Sequence, residues 1–156
     1  SYMHRMMCTQ ELSAVTAACM MLRKDVFEGV GGFREELAVA FNDIDLCMKV
    51  RASGKLVIYD PYVSFHHYES KSRGLEDTPE KVARFNGEIA TFAHYWGAIL
   101  EHGDPYYNTN LTLRKANFAL RDLTKEKPGE PYKLELDVEK QLATVLKEKA
   151  RRGLKD

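Results

Sequence analysis

Val82, Phe85, Ile89, Phe92, Trp96 and Ile99 recur at alternating steps of three and four, the period at which an α-helix turns one stripe toward a core. Just upstream stands Thr78-Pro79-Glu80: a hydroxyl to cap, a proline suited to the first helical position, and an acid in the first turn. Gly103 follows as a stop. The spacing therefore predicts one long amphipathic helix, and its aromatic stripe reads as core packing rather than as a ligand platform.

Ahead of that helix the chain reads as alternating short elements. Residues 14 to 22 are continuously apolar and include Val15 and Thr16, which suits a buried strand, although the alanines leave a helix open. Asp25 is placed to cap a short helix that Gly31-Gly32 would end, because glycine accepts the positive φ other residues resist. From Asn42 to Ser53 the pattern is helical, with Asn42 as N-cap and Gly54 as stop. Leu56-Val57-Ile58-Tyr59 and Tyr62-Val63-Ser64-Phe65 read as two strands about an Asp60-Pro61 turn, the second running into His66-His67. Toward the end, Pro128 and Pro131 sit in a charged linker. Val138, Leu142, Val145 and Leu146 then form a stripe on a charged helical tail that docks on something. The expected division is 1–123 for the main body and 124–156 for linker and tail.

Bulk composition narrows the functional classes. The chain has 156 residues, 44% of them hydrophobic, enough for one ordinary core. Lys plus Arg balances Asp plus Glu at 23 each, so no net field draws it to nucleic acid or an acidic membrane, and no nucleic-acid partner is expected. Cys8, Cys19 and Cys47 are odd in number and far apart. That fits neither a disulfide framework nor a Cys-x-x-Cys metal site, and suits a reducing compartment. No apolar run is long enough to cross a bilayer.

Asp43 and Asp45 spell Asp-x-Asp, yet on a helix residues two apart point about 200° away from each other and cannot easily share one ion. The reading is that Asp45 helps cap the helix while Asp43 projects from its first turn, where the helix dipole favours an ionised carboxylate. His66 and His67 at a strand end face opposite ways, so at most one reaches a given site. Ser70-Lys71-Ser72-Arg73-Gly74 offers hydroxyls, cations and a pliable backbone suited to a diphosphate. Each feature alone has a plain structural reading, as first-turn acids, a hydrogen-bonded histidine or a solvated loop.

In combination and in this order, these motifs resemble family 2 glycosyltransferases. They are the apolar strand with Arg23, Gly31-Gly32-Phe33, Phe41-Asn42-Asp43-Ile44-Asp45-Leu46-Cys47, Gly54, Pro61 and the run from His66 to Gly74. The likeness covers about residues 13 to 110 and matches the C-terminal half of the family's catalytic domain. Asp104-Pro105-Tyr106-Tyr107-Asn108 is similar to the segment that closes many bacterial polysaccharide-building members. The resemblance implies an α/β chain forming the C-terminal part of a GT-A, Rossmann-like sandwich, incomplete, with the long amphipathic helix and helical tail added. It implies inverting transfer of a hexosyl-type sugar from a nucleotide-sugar donor to a glycan or lipid-linked acceptor. Asp43 is then the general base, and Asn42 stands where the family usually has glutamate. His66 or His67 is the late ligand of a divalent metal, Mn²⁺ or Mg²⁺, with His66 the better match. Ser72 and Arg73 lie near the leaving diphosphate, with Gly32 and Asn42 also toward substrate.

The family's nucleotide-binding strands and its separate metal-binding Asp-x-Asp have no counterpart in this sequence. The chain is thus expected to be a fragment whose partner is the missing N-terminal half of the same protein. Alone it is expected to bind sugar nucleotide poorly, to turn over nothing, and to self-associate through its uncovered apolar face. The parent would work in the cytoplasm, at the inner face of the membrane. Two rival readings are a non-catalytic binding or assembly module and a metal-dependent hydrolase using Asp43 and His66.

Overall fold

Residues 6–66, 77–115, 117–128 and 136–151 are described by the structure, a computed structural model. Strand β1, Gln10–Glu11, pairs antiparallel with β2, Ile58–Tyr59, in a two-stranded sheet with Gln10 opposite Tyr59. Between them lie a 3-10 turn, Ala17–Cys19, and helices α1, Lys24–Gly29, and α2, Asn42–Ala52. Helix α3, Pro79–His102, and helix α4, Val138–Arg151, complete the order.

Helix α3 begins as its sequence predicts. The Thr78 hydroxyl accepts the amide of Lys81, Pro79 fills the first turn, and Gly103 ends the helix. Val82 and Phe92 are buried on its inner stripe, while Ile99 is half-exposed. Helix α4 runs back along the first part of α3: Asn86 donates to the Leu136 carbonyl at 3.1 Å, and Lys149 pairs with Asp77 at 2.9 Å. The side chains of Lys81 and Lys149 both hydrogen-bond Asp77 and hold its carboxyl well below the usual carboxylate range.

The central packing is built on α2. Leu46, Cys47 and Val50 are buried with Val57, and Ala14, Val15, Met20, Leu22, Val26, Phe27 and Val30 pack against them. At about 1.5–3 kcal/mol for each fully buried aliphatic side chain, this cluster is what holds segment 14–22 to the helix. Asp43 and Asp45 lie in the first turn of α2, and Lys49 and Arg51 in the last, matching the helix dipole at both ends.

Four local expectations differ from the structure. Residues 14 to 22 are extended about the 3-10 turn, but among the described residues no strand pairs with them, so the run lies against α2 without a ladder. Asp25 sits inside α1 rather than capping it, because Arg23 binds its carboxylate in a two-point contact at 3.0 and 2.6 Å. Asn42 is the first residue of α2 and not its cap; the cap is Phe41, in the left-handed region at φ 62. Residues 62 to 65 form no strand, since Asp60 accepts the Tyr62 amide and turns the chain outward, leaving Tyr62, Val63 and Phe65 exposed.

One consequence is an open apolar groove. Segment 15–22, α2 and residues 56–65 enclose about 560 Å³, lined by Val15, Met20, Leu46, Val50, Val57 and Phe65 among others. Met21 at its edge is 99% exposed, although a side chain of that size is normally worth burying.

Candidate functional site at the start of α2

The site begins with a backbone conformation. Phe41 adopts φ 62, which costs a non-glycine residue roughly 1–3 kcal/mol and needs surroundings that enforce it. Its ring is stacked between Phe85 and Phe92 of α3, with centroids 5.6 and 5.3 Å away. Two such contacts, at about 0.5–1.5 kcal/mol each beyond their burial, offset the strain. The amide of the preceding residue, Ala40, donates to Glu88 of α3 at 2.6 Å. The Phe41 carbonyl accepts the Asp45 amide at 2.7 Å, the first bond of the helix.

Asp43 stands one residue into that turn, half-buried. Its Oδ2 accepts the Ala17 amide at 3.0 Å and its Oδ1 the Ile44 amide at 2.9 Å. The carboxylate therefore bridges the 3-10 turn and α2 with a fixed orientation, and each oxygen keeps a further lone pair. No described residue hydrogen-bonds the side-chain amide of neighbouring Asn42. Below them the Cys47 thiol donates to the Val15 carbonyl at 3.7 Å. Burial pushes that thiol above its ordinary value and the Asp43 charge adds to the effect, which disfavours the thiolate, and Cys47 packs in the core cluster.

Asp45 has a different role from the capping expected of it. It is fully buried, and three side chains converge on it: Trp96 Nε1 of α3 at 2.9 Å, Arg34 Nε at 3.2 Å, and Lys49 Nζ of its own helix at 3.1 Å. Lys49 faces Oδ2 as an ion pair without hydrogen-bond alignment. Burial alone would raise the carboxyl, but the Trp96 hydrogen bond, the Lys49 ion pair and the Arg34 hydrogen bond together outweigh it and hold Asp45 below the ordinary range. Arg34 also lies 3.6 Å over the Tyr95 ring, and the Tyr95 hydroxyl donates to Glu36 at 3.2 Å. The loop carrying Arg34 and Glu36 is thereby fastened to α3. The spacing of Asp45 and Lys49 on one helix face was visible in sequence, but nothing there indicated that Trp96 would turn its N–H toward them.

Gly32 is tied into the same frame. Its amide donates to the Phe27 carbonyl at 2.8 Å and its carbonyl accepts Lys49 Nζ, while the Phe27 ring fills the space a Cβ would need. Asp104-Pro105-Tyr106-Tyr107-Asn108 folds back onto the body as well. Asp104 accepts the Ser13 hydroxyl at 2.8 Å, and the Tyr106 hydroxyl meets Glu11 and Arg51.

Of the residues expected at the site, the structure brings Asn42, Asp43 and Gly32 onto or against α2. His66 is exposed at the end of segment 62–66, with no hydrogen bond or ion pair to Asp43. His67, Ser72 and Arg73 lie outside the described residues. Among the described residues, no group of three or more His, Cys, Asp or Glu side chains could hold a metal ion. His66 alone offers a single imidazole, which does not make a Mn²⁺ or Mg²⁺ site by itself. No helix among the described residues is long and apolar enough to cross a membrane.

An uncharacterized protein, y4gI, of Sinorhizobium fredii is 48% identical over 120 residues, covering 76% of this chain and 13% of that protein. The O-antigen biosynthesis protein RfbC of Myxococcus xanthus is 36% identical over 113 residues, 72% of this chain and 8% of that protein. The N-acetylglucosaminyl-diphospho-decaprenol L-rhamnosyltransferase of Mycobacterium tuberculosis is 28% identical over 69 residues, 44% of this chain and 22% of that protein. These similarities support a glycosyltransferase family. The names of the latter two relatives place those proteins in O-antigen biosynthesis and in rhamnosyl transfer. The chain spans only 13% and 8% of the first two relatives. No protein-family model and no solved structure matches it.

Proposed function

We propose that this chain is the acceptor-side, C-terminal part of the catalytic domain of an inverting glycosyltransferase, of GT-A type and family 2, in polysaccharide biosynthesis. The observation that carries the reading is Asp43, a carboxylate held at the start of α2 by the amides of Ala17 and Ile44 with lone pairs to spare. In the reaction an acceptor hydroxyl of a glycan or lipid-linked sugar attacks the anomeric carbon of a nucleotide-sugar donor. The new bond forms between acceptor oxygen and anomeric carbon, and the bond from that carbon to the diphosphate breaks on the opposite face. Asp43 takes the hydroxyl proton as attack proceeds, so that no free alkoxide forms. Gly32 and Asn42 border the substrate on this reading, and Ser72 and Arg73 serve the leaving diphosphate.

A divalent ion, Mn²⁺ or Mg²⁺, belongs to the proposal as a cofactor that would offset charge on the diphosphate. His66 or His67 would be one ligand, completed by groups beyond the described residues. The open groove beside α2 is where the N-terminal half of the catalytic domain would pack; in its place, a second copy would cover the same face. The working location is the cytoplasm, at the inner face of the membrane.

A non-catalytic assembly module is the second reading. It draws support from the same contacts, since both Asp43 oxygens already accept backbone amides and could be structural only. Asp43→Asn in the complete polypeptide separates the two. The base reading expects transfer to fall by about 10²- to 10⁴-fold, whereas parental turnover would leave Asp43 as a loop tie.

A further inference from the structure

Helix α3 touches the start of α2 at three successive places, and Asp43 lies between them. Glu88 takes the amide of Ala40, Phe85 and Phe92 hold the ring of Phe41, and Trp96 binds the carboxylate of Asp45. These α3 residues are spaced at helical intervals along one side, so the helix meets residues 40 to 45 as a continuous rail. Asp43 itself makes no hydrogen bond or ion pair with α3; its two hydrogen-bond partners are the amides of Ala17 and Ile44. Its position must therefore be passed to it through the backbone of its neighbours.

The left-handed turn at Phe41 is where that transmission is concentrated. A phenylalanine gains nothing locally from φ 62, and its carbonyl opens the hydrogen-bond ladder of α2 toward Asp45. Rotation at this one residue would re-aim the first turn and carry the Asp43 carboxylate away from the Ala17 amide.

We propose that Phe41 is a positioning residue for Asp43, its ring held between Phe85 and Phe92 so that α3 sets the aim of the carboxylate. The functional meaning rests on the reading of Asp43 as general base, but the geometric claim can be tested apart from it.

Amide hydrogen exchange on the ¹⁵N-labelled chain reads the geometry directly. Asp43→Ala fixes the rate at which the Ala17 amide exchanges without its acceptor. Phe41→Gly is expected to speed Ala17 exchange about tenfold toward that rate, with amides in the interior of α2 unchanged and Phe41→Tyr restoring protection. Phe85→Leu, which removes one ring of the sandwich and leaves Phe41 in place, is expected to act in the same direction should the glycine variant not fold. An Ala17 amide that stays protected in the ring variants overturns the proposal, and so does one that in the parent already exchanges at the Asp43→Ala rate. In the complete polypeptide, Phe41→Gly is expected to lower kcat by about 10- to 100-fold at unchanged donor KM, with Phe41→Tyr near parental. Unchanged kcat in Phe41→Gly beside an inactive Asp43→Asn overturns the positioning role and leaves the base reading intact. Retained turnover in Asp43→Asn overturns the base reading, and the exchange experiment still decides the geometry.

Discussion

The indole N–H of Trp96 reaches Asp45 Oδ1 across 2.9 Å, joining the long helix to the helix that carries Asp43 through a carboxylate with no solvent exposure. Arg34 and Lys49 complete the charge balance of that carboxylate. A buried ion set of this kind is dangerous to break at one corner, because the remaining charges lose their compensation.

Trp96→Phe is expected to cost about 1.5–3 kcal/mol at neutral pH, the range for a lost hydrogen bond to a charged group, read as a lower urea midpoint. The pH dependence has a definite sign. Asp45 titrates below the ordinary 3.8 when folded, so its contribution is present above that value and is lost as pH falls through the lowered folded value. The gap between parent and variant should therefore narrow in acid. A gap that stays constant down to pH 2 would mean that ring packing, and not the N–H, carries the effect.

Gly31 and Gly32 both have positive φ, 78 and 61, but only Gly32 is crowded, with the Phe27 ring 3.1 Å from where a Cβ would stand. Gly31→Ala is expected to cost about 1–2 kcal/mol through backbone strain alone. Gly32→Ala should cost more, because Phe27 must also shift against Phe33, whose ring centre is 5.5 Å away. Thermal unfolding of the two single variants checks the order, and equal losses would remove the packing argument.

Glu88 is 5% exposed and receives the Ala40 amide at 2.6 Å. Glu88→Ala leaves that amide without its acceptor and is expected to lower stability by about 1–3 kcal/mol. Glu88→Gln keeps an acceptor oxygen and should lose clearly less. Matching losses in urea titration would show that the charge facing Arg84, 4.0 Å away, matters more than the amide contact.

Calorimetric titration of this chain with Mn²⁺ tests the proposed ligand role of His66, around which the described residues alone gather no metal-ligating group; a site confined to the described residues would give no saturable heat. Saturable heat that disappears in His66→Ala would show that ligands outside the described residues complete a site on this chain.

How much of this was legible in the sequence depends on the range of the interaction responsible. Thr78, Pro79 and the three-and-four spacing after them are local signals, and α3 begins as they indicate. The extent of α2 was legible for the same reason, but its cap was not. A left-handed Phe41 is disfavoured on its own and is stabilised by Phe85 and Phe92 far downstream. Periodicity assigns Trp96 to the core and is blind to where its N–H points. The place of Asp45 in a helical first turn suggests a cap, while its burial is decided by Arg34 and Trp96 arriving from elsewhere. The apolar run at 14 to 22 has the composition of a strand, yet a ladder needs a neighbouring strand, and the described residues provide none beside it.

The groove between segment 15–22, α2 and residues 56–65 also bears on how the chain will behave at the bench. Anilinonaphthalene sulfonate brightens on accessible apolar surface, and its fluorescence is commonly taken as the mark of a loosened, partly folded state. Here a bright dye signal would belong to the natively folded chain, and its quenching, not its appearance, would report that something had come to occupy the channel.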